Sequence, residues 1–197
     1  YKEEVVALDM LDDQGQQYHS MDSSLKQLAI QSSRYLSTWL QWTLARPNSA
    51  FRDEVVVVDE VDDDDGKTVR KVPLMELPAI NPNGHKWLPK ENWLADFCKV
   101  EKQQGRKVLV YVRQTGTRDI QDRVMMPLQA NGLRVSILGG NVDPRKREEW
   151  IAKRVNTIDV LICNPRLVET GLDLVQFSTV VFFEIEYSLY TLWQSVR

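Results

Sequence analysis

Four short runs in the second half of the chain are apolar at almost every position: "KVLVYV" (Lys107 to Val112), "RVSIL" (Arg134 to Leu138), "DVLIC" (Asp159 to Cys163) and "TVVFFE" (Thr179 to Glu184). A strand with one wet face alternates apolar and polar residues, so strands this uniformly apolar are expected where helices cover both faces of a sheet. Helix-like stretches separate the runs: Asn92 to Gln103, Arg118 to Asn131, Pro144 to Val155, and a last one beginning near Ser188. The alternation predicts an α/β domain built on a parallel sheet flanked by helices over residues 89–197.

Residues 1–88 read differently. "MDSSLKQLAIQSSRYLSTWLQWTLARP" spaces Leu25, Leu28, Tyr35, Leu36, Trp39, Leu40 and Trp42 for one helix, capped at Asp22 or Ser23 and stopped at Pro47. "DEVVVVDEVDDDDGKTVRKVPL" then gives a valine-rich strand, an acidic turn and a second strand, a β-hairpin. This N-terminal helical and β-hairpin extension is expected to be a linker or insertion element.

Several features invite a chemistry that the rest of the chain does not support. "VVVVDE" (Val55 to Glu60) has the form of a magnesium-carrying strand, but no "GxxxxGK[ST]" loop precedes it. His19 and His85 have no Cys or His neighbour at ligand spacing, so no metal site is expected. Cys98 and Cys163 read as reduced core residues. The six tryptophans sit mostly at helix-like positions, where core packing is expected; Trp87 is the one for which stacking on a base or an adenine ring is the alternative. "ILGGN" is too short for a dinucleotide fingerprint, and Asp143 before Pro144 reads as a helix cap with a first-turn proline. No apolar run approaches the ~20 residues of a membrane span, so no membrane partner is expected. A net charge of −3 leaves room for one basic face.

In a parallel sheet the loops after the strands collect at one edge. Here they are "RQTGTRD" (Arg113 to Asp119), "GGNVDPRKR" (Gly139 to Arg147), "NPRLVETGLDL" (Asn164 to Leu174) and "IEYS" (Ile185 to Ser188). Thr115, Gly116, Thr117 and Thr170 offer hydroxyls and amides for phosphate oxygens, while Arg113, Arg118, Arg145 and Arg166 offer charge. No Ser-His-Asp set or acid-base carboxylate pair accompanies them, so no catalytic residue is assigned.

These loops resemble the second RecA-like lobe of superfamily 2 helicases and translocases, Snf2-like or DEAD/DEAH-like. "KVLVYVRQT" looks like motif IV. "LGGNVDPRKREEWIAK" is similar to the segment in which Gly140, Arg147 and Trp150 match a glycine, an arginine opening a helix, and an aromatic. "DVLICNPRLVETGLDLVQFSTVVFFE" resembles motif V, with Thr170, Gly171, Leu172, Asp173 and Leu174 at its core. "YSLYTLWQSVR" resembles the approach to motif VI: Gln194 takes the glutamine position, the fourth place after it is residue 198, and Arg197 is not the arginine finger.

The resemblance implies a RecA-like fold over residues 89–197, truncated within motif VI, in a piece of a longer protein. It implies nucleic-acid backbone contacts from Arg113, Thr115 and Thr170. It places Gly171, Asp173 and Gln194 on one side of an ATP cleft. ATP and Mg2+ would be bound mainly by the N-terminal RecA-like lobe of the same protein, so this stretch alone is expected to be inactive. DNA or RNA is the implied partner; the location would be cytoplasmic or nucleoid-associated in a prokaryote, with a nuclear one open in a eukaryote. A non-catalytic nucleic-acid or protein interaction module that retains the fold is the alternative. A flavodoxin-like or Rossmann-like enzyme shares the alternation, but "RQTGTRD" does not supply its glycine-rich first loop.

Overall fold

The computed structural model describes residues 3–61, 69–80, 86–168, 172 and 174–184. The chain divides into two compact units, Tyr1–Leu88 and Pro89–Arg197.

In the first unit, α1 (Asp12–Gln31) and α2 (Leu36–Ser49) are separate helices joined through a 3-10 turn, Ser33–Tyr35. The single helix expected from residue 22 onward is therefore two, and the first begins ten residues earlier. Ser32 takes an extended backbone (φ −150°, ψ 126°), which lets the chain reverse. Met21 and Leu25 then meet Trp42 in one core. Asp22 is not a cap: it lies inside α1 and accepts the Trp39 indole N–H at 2.7 Å. The early turns of α1 carry little apolar periodicity and are held by long-range polar contacts. Gln14 Nε2 donates to the Pro47 carbonyl (3.3 Å) and Gln17 Nε2 to that of Pro78 (2.8 Å). Pro47 does not stop α2 either. It lies within the last turn, and Asn48 Nδ2 caps the Leu44 carbonyl at 3.1 Å.

Strands β1 (Glu54–Val61) and β2 (Val69–Leu77) form the expected hairpin, antiparallel. The pairing slips between Val56 and Val57, which leaves Leu74 as an extra residue and sets Pro73 at the bulge, where a missing N–H is tolerated. Val56 and Val58 face inward, whereas Val55 and Val57 are exposed. The acidic turn lies outside the described residues. Arg46 is 1% exposed, and its guanidinium donates to Gln17, Glu54 and the carbonyls of Ser49, Arg52 and Pro78. Such full pairing is the condition under which a charge is tolerated in a core. Trp87 is only 9% exposed, as the core-packing reading of the tryptophans expects.

The second unit is the α/β domain. Its order is α3 (Pro89–Gln103), β3 (Val108–Tyr111), α4 (Gln121–Ala130), β4 (Val135–Leu138), α5 (Arg147–Ala152), β5 (Val160–Cys163) and β6 (Thr179–Phe182). The four strands form one parallel sheet in the order β4-β5-β3-β6. Leu109, Tyr111, Leu138, Leu161 and Cys163 pack with Ile151 and Val155 around α5 on one face. Alternation sends Val108, Val110, Val160 and Ile162 to the other face. Helix α4 lies against β4 and β5, and α3 packs on α4. Glu91 and Arg123 join those two helices through paired 2.7 Å hydrogen bonds. The parallel sheet flanked by helices that the sequence predicts is present. The expected helix at Ser188 lies outside the described residues.

Charged groups close the N-terminal edge of the sheet. Asp159 accepts from the Arg134 amide (2.9 Å) and guanidinium (2.7 Å) and pairs with Lys102 (3.0 Å). Burial pushes its pKa up, but these hydrogen bonds outweigh burial and hold it well below the usual carboxylate range.

Candidate nucleic-acid interface

The strand order places a crevice at the opposite, C-terminal edge. From β3 the chain leaves through α4 toward β4; from β5 it crosses β3 to reach β6. The connections after the adjacent strands β3 and β5 thus diverge, and their ends part. An open cleft of about 540 Å³ lies there, lined by Thr115, Asp119 and Gln121 after β3, Gly139 to Asn141 after β4, and Asn164, Arg166 and Leu167 after β5.

Each wall is fixed by short-range caps. Asp143 accepts the Arg145 amide (2.8 Å), as its position before Pro144 predicts, and Asn164 repeats the device before Pro165 by accepting the Arg166 amide (3.0 Å). Asp119 accepts the amide of Gln121, the first residue of α4, at 2.8 Å.

The walls are then tied to one another. Asn164 Nδ2 donates to the Arg113 carbonyl (2.9 Å) and to Thr115 Oγ1 (3.0 Å), crossing from the β5 loop to the β3 loop. Glu184, 7% exposed at the end of β6, accepts the amides of Arg113 (2.6 Å) and Gln114 (2.9 Å) and the Gln114 Nε2 (2.6 Å). The loop after β3 is therefore gripped from both neighbouring strands. Arg147 spans the other two loops, donating from Nε to the Val142 carbonyl (3.2 Å) and from Nη1 to that of Leu167 (2.9 Å). Lys90, at the start of α3, sets its Nζ 4.5 Å from the centre of the Phe183 ring. Burial lowers its pKa to about 8 despite the attraction of Glu184.

Of the residues expected to meet a nucleic-acid backbone, Thr115 lines the cleft. Arg113 is half-buried beside it, and its backbone anchors the loop through Asn164 and Glu184. Thr170, Gly171, Asp173 and Gln194 lie outside the described residues. Among the charge donors read from sequence, Arg166 lines the cleft and Arg145 is exposed on the neighbouring loop. Arg147 instead serves as a brace between loops.

Sequence reading missed the roles of Asn164 and Glu184. The first had a signal, since "NP" after an apolar strand repeats the "DP" that was recognised. The second could not be seen, because its partners are 70 and 71 positions away.

The donors around the cleft, Thr115, Asn141 and Arg166, suit the oxygens of an anion, and among the described residues no cluster of three or more metal-binding side chains is present. The buried thiols take no part: burial pushes Cys98 and Cys163 up to about 12. Residues 89–197 match the family described as the helicase conserved C-terminal domain. The chain belongs to that family. Among solved structures it is similar to the C-terminal part of the Fun30 ATPase domain, at 19% identity and a TM-score of 0.48, over 54% of this chain and 34% of that one. It thus spans about a third of the length of that chain. No curated protein sequence matches it.

Proposed function

We propose that residues 89–197 are the second motor lobe of an ATP-dependent helicase or translocase, Snf2-like or DEAD/DEAH-like, and that the cleft at the strand ends tracks a DNA or RNA backbone. The observation that carries this reading is the grip of Asn164 and Glu184 on the loop after β3. It holds Thr115 in place before any ligand arrives, and because the Thr115 oxygen accepts from Asn164 its proton is left to donate to a phosphate oxygen. Arg113, Thr115 and Thr170 supply backbone contacts in this reading, and Gly171, Asp173 and Gln194 face ATP.

ATP and Mg2+ would be held mainly by a phosphate loop and an acidic strand of an N-terminal lobe, supplying the phosphoryl chemistry. This chain's own residues contribute orientation and charge at one side of that cleft. The test is an ATPase assay, with and without nucleic acid, on a protein carrying both lobes, compared with residues 1–197 alone. Nucleic-acid-stimulated turnover only in the two-lobe protein, reduced by Arg113→Ala and by Thr115→Ala, supports the reading. Sustained turnover by residues 1–197 alone overturns it. Binding without ATPase activity in the two-lobe protein favours the interaction module instead.

A further inference from the structure

The two edges of the β1–β2 hairpin are unlike. A strand with no neighbour on one side offers a row of unpaired amides and carbonyls, and proteins guard such edges with lysine, proline or a bulge. Strand β2 carries all three: Lys71 is exposed, Pro73 follows it, and Leu74 is the extra residue of the bulge. Strand β1 has no such guard. It runs from Glu54 to Val61 through four consecutive valines, of which Val55 and Val57 are 45% and 38% exposed. Among the described residues, no third strand joins this sheet, and Val55 to Asp59 make no backbone hydrogen bond outside the hairpin ladder. An apolar edge left open on one strand while its neighbour is defended is the mark of an edge that a partner covers. Charge narrows what that partner is. Asp53, which takes the Ala79 amide, and Asp59 are exposed at the two ends of the open stretch, whereas Glu54 is already paired with Arg46 and Arg52. A second copy adding its own β1 antiparallel about Val56 and Val57 would set Glu54 opposite Asp59, a like-charge pair that destabilises. The chain's apolar stretch Val5 to Leu8 follows Glu3 and Glu4 and meets the same repulsion.

We propose that the free edge of β1 is a protein-docking site that takes, as an added strand, an extended peptide segment with a β-branched centre and Lys or Arg at both ends. Backbone hydrogen bonds along Val55 to Asp59 supply the affinity, Val55 and Val57 flank the side chains of the added strand, and Asp53 and Asp59 select its basic ends. The site lies wholly within residues 1–88 and does not depend on the motor-lobe reading.

The experiment titrates three end-capped synthetic peptides into the whole chain: Lys-Arg-Val-Thr-Val-Thr-Arg-Lys, the same peptide with Glu at its four terminal positions, and the first peptide with its central amides N-methylated. The basic peptide is expected to bind at least about 10-fold tighter than the acidic one. N-methylation, which removes the donors an added strand needs, should abolish binding. Amide exchange should slow at alternate residues of Val55 to Asp59 and stay unchanged along β2. The double variant Asp53→Asn with Asp59→Asn should bind the basic peptide about 5-fold more weakly, the usual worth of two exposed ion pairs. The peptide and exchange arms use the wild-type chain, so they decide the matter even if the variant does not fold. The proposal is overturned if the basic peptide does not bind, if the acidic or N-methylated peptide binds as well, or if the new protection lies off β1. Self-association that protects the β1 amides would also overturn it, giving the edge to a second copy.

Discussion

The Glu184 carboxylate closes on Gln114 across 70 positions of sequence, with Oε2 accepting the amide at 2.9 Å and Oε1 accepting Nε2 at 2.6 Å. One buried side chain at the end of β6 thus accepts from both a backbone and a side-chain donor of the loop after β3, and its Oε2 also takes the Arg113 amide. Glu184→Ala should cost about 2–3 kcal/mol, since hydrogen bonds to a charged acceptor are lost and donors are left unpaired. Chemical denaturation reads the stability. Amide exchange at Arg113 and Gln114 should accelerate beyond the change in global stability, and equal protection in the variant would show that the grip is not what orders the loop.

Asn164 tests the opposite side of the same loop. Its Nδ2 donates to two acceptors, the Arg113 carbonyl and Thr115 Oγ1, while its Oδ1 receives the Arg166 amide. Asn164→Asp keeps that cap and turns the donor into an anion facing a carbonyl. It should therefore be less stable than Asn164→Ala, which loses about 1–2 kcal/mol by removing the contacts without repulsion. The reverse order in thermal melts would mean that the cap outweighs the crossing contacts.

Gly139 and Gly140 differ in what a side chain would meet. A Cβ at Gly139 would lie 2.7 Å from Asn141 Oδ1, whereas one at Gly140 would meet nothing within 4 Å. Asn141 is exposed, so Gly139→Ala should change stability by less than about 0.5 kcal/mol while displacing the Asn141 side chain from the cleft wall. Its effect on oligonucleotide affinity should equal that of Asn141→Ala, and the double variant should add nothing further. Additive losses would place the two residues in separate roles.

Two groups set opposite pH windows. Asp159 has a depressed folded pKa, so its stabilising contribution is present above the unfolded value of about 4 and is lost as pH falls through the folded value. Asp159→Asn should cost about 1.5–3 kcal/mol at neutral pH and flatten the acid limb of the stability profile. Lys90 has a folded pKa lowered to about 8. Between that and the unfolded value of about 10.4 the unfolded chain holds more protons, so this group makes stability rise with pH. Buried Cys98 and Cys163, whose pKa values are raised, act in the other direction within that range, and Tyr111, also raised, joins them only above its unfolded value of about 10. The readout is therefore wild type minus Lys90→Met, which should increase from pH 8 to 10.

The parallel sheet was legible because β3 and β5 are buried at every position, and a strand covered on both faces must be apolar on both. The hairpin and the Asp143 cap were legible because each is decided within a few residues. Helix α1 was not, since Gln14 and Gln17 are held by carbonyls 33 and 61 positions away rather than by a periodic apolar face. The sequence determined which loops share an edge and which residue types they bring to it. Only the tertiary structure decided that Arg147 braces loops and that Asn164 and Glu184 hold one loop from two strands. Hydrogen bonds between distant segments depend on geometry to a few tenths of an ångström, and residue order does not encode that locally.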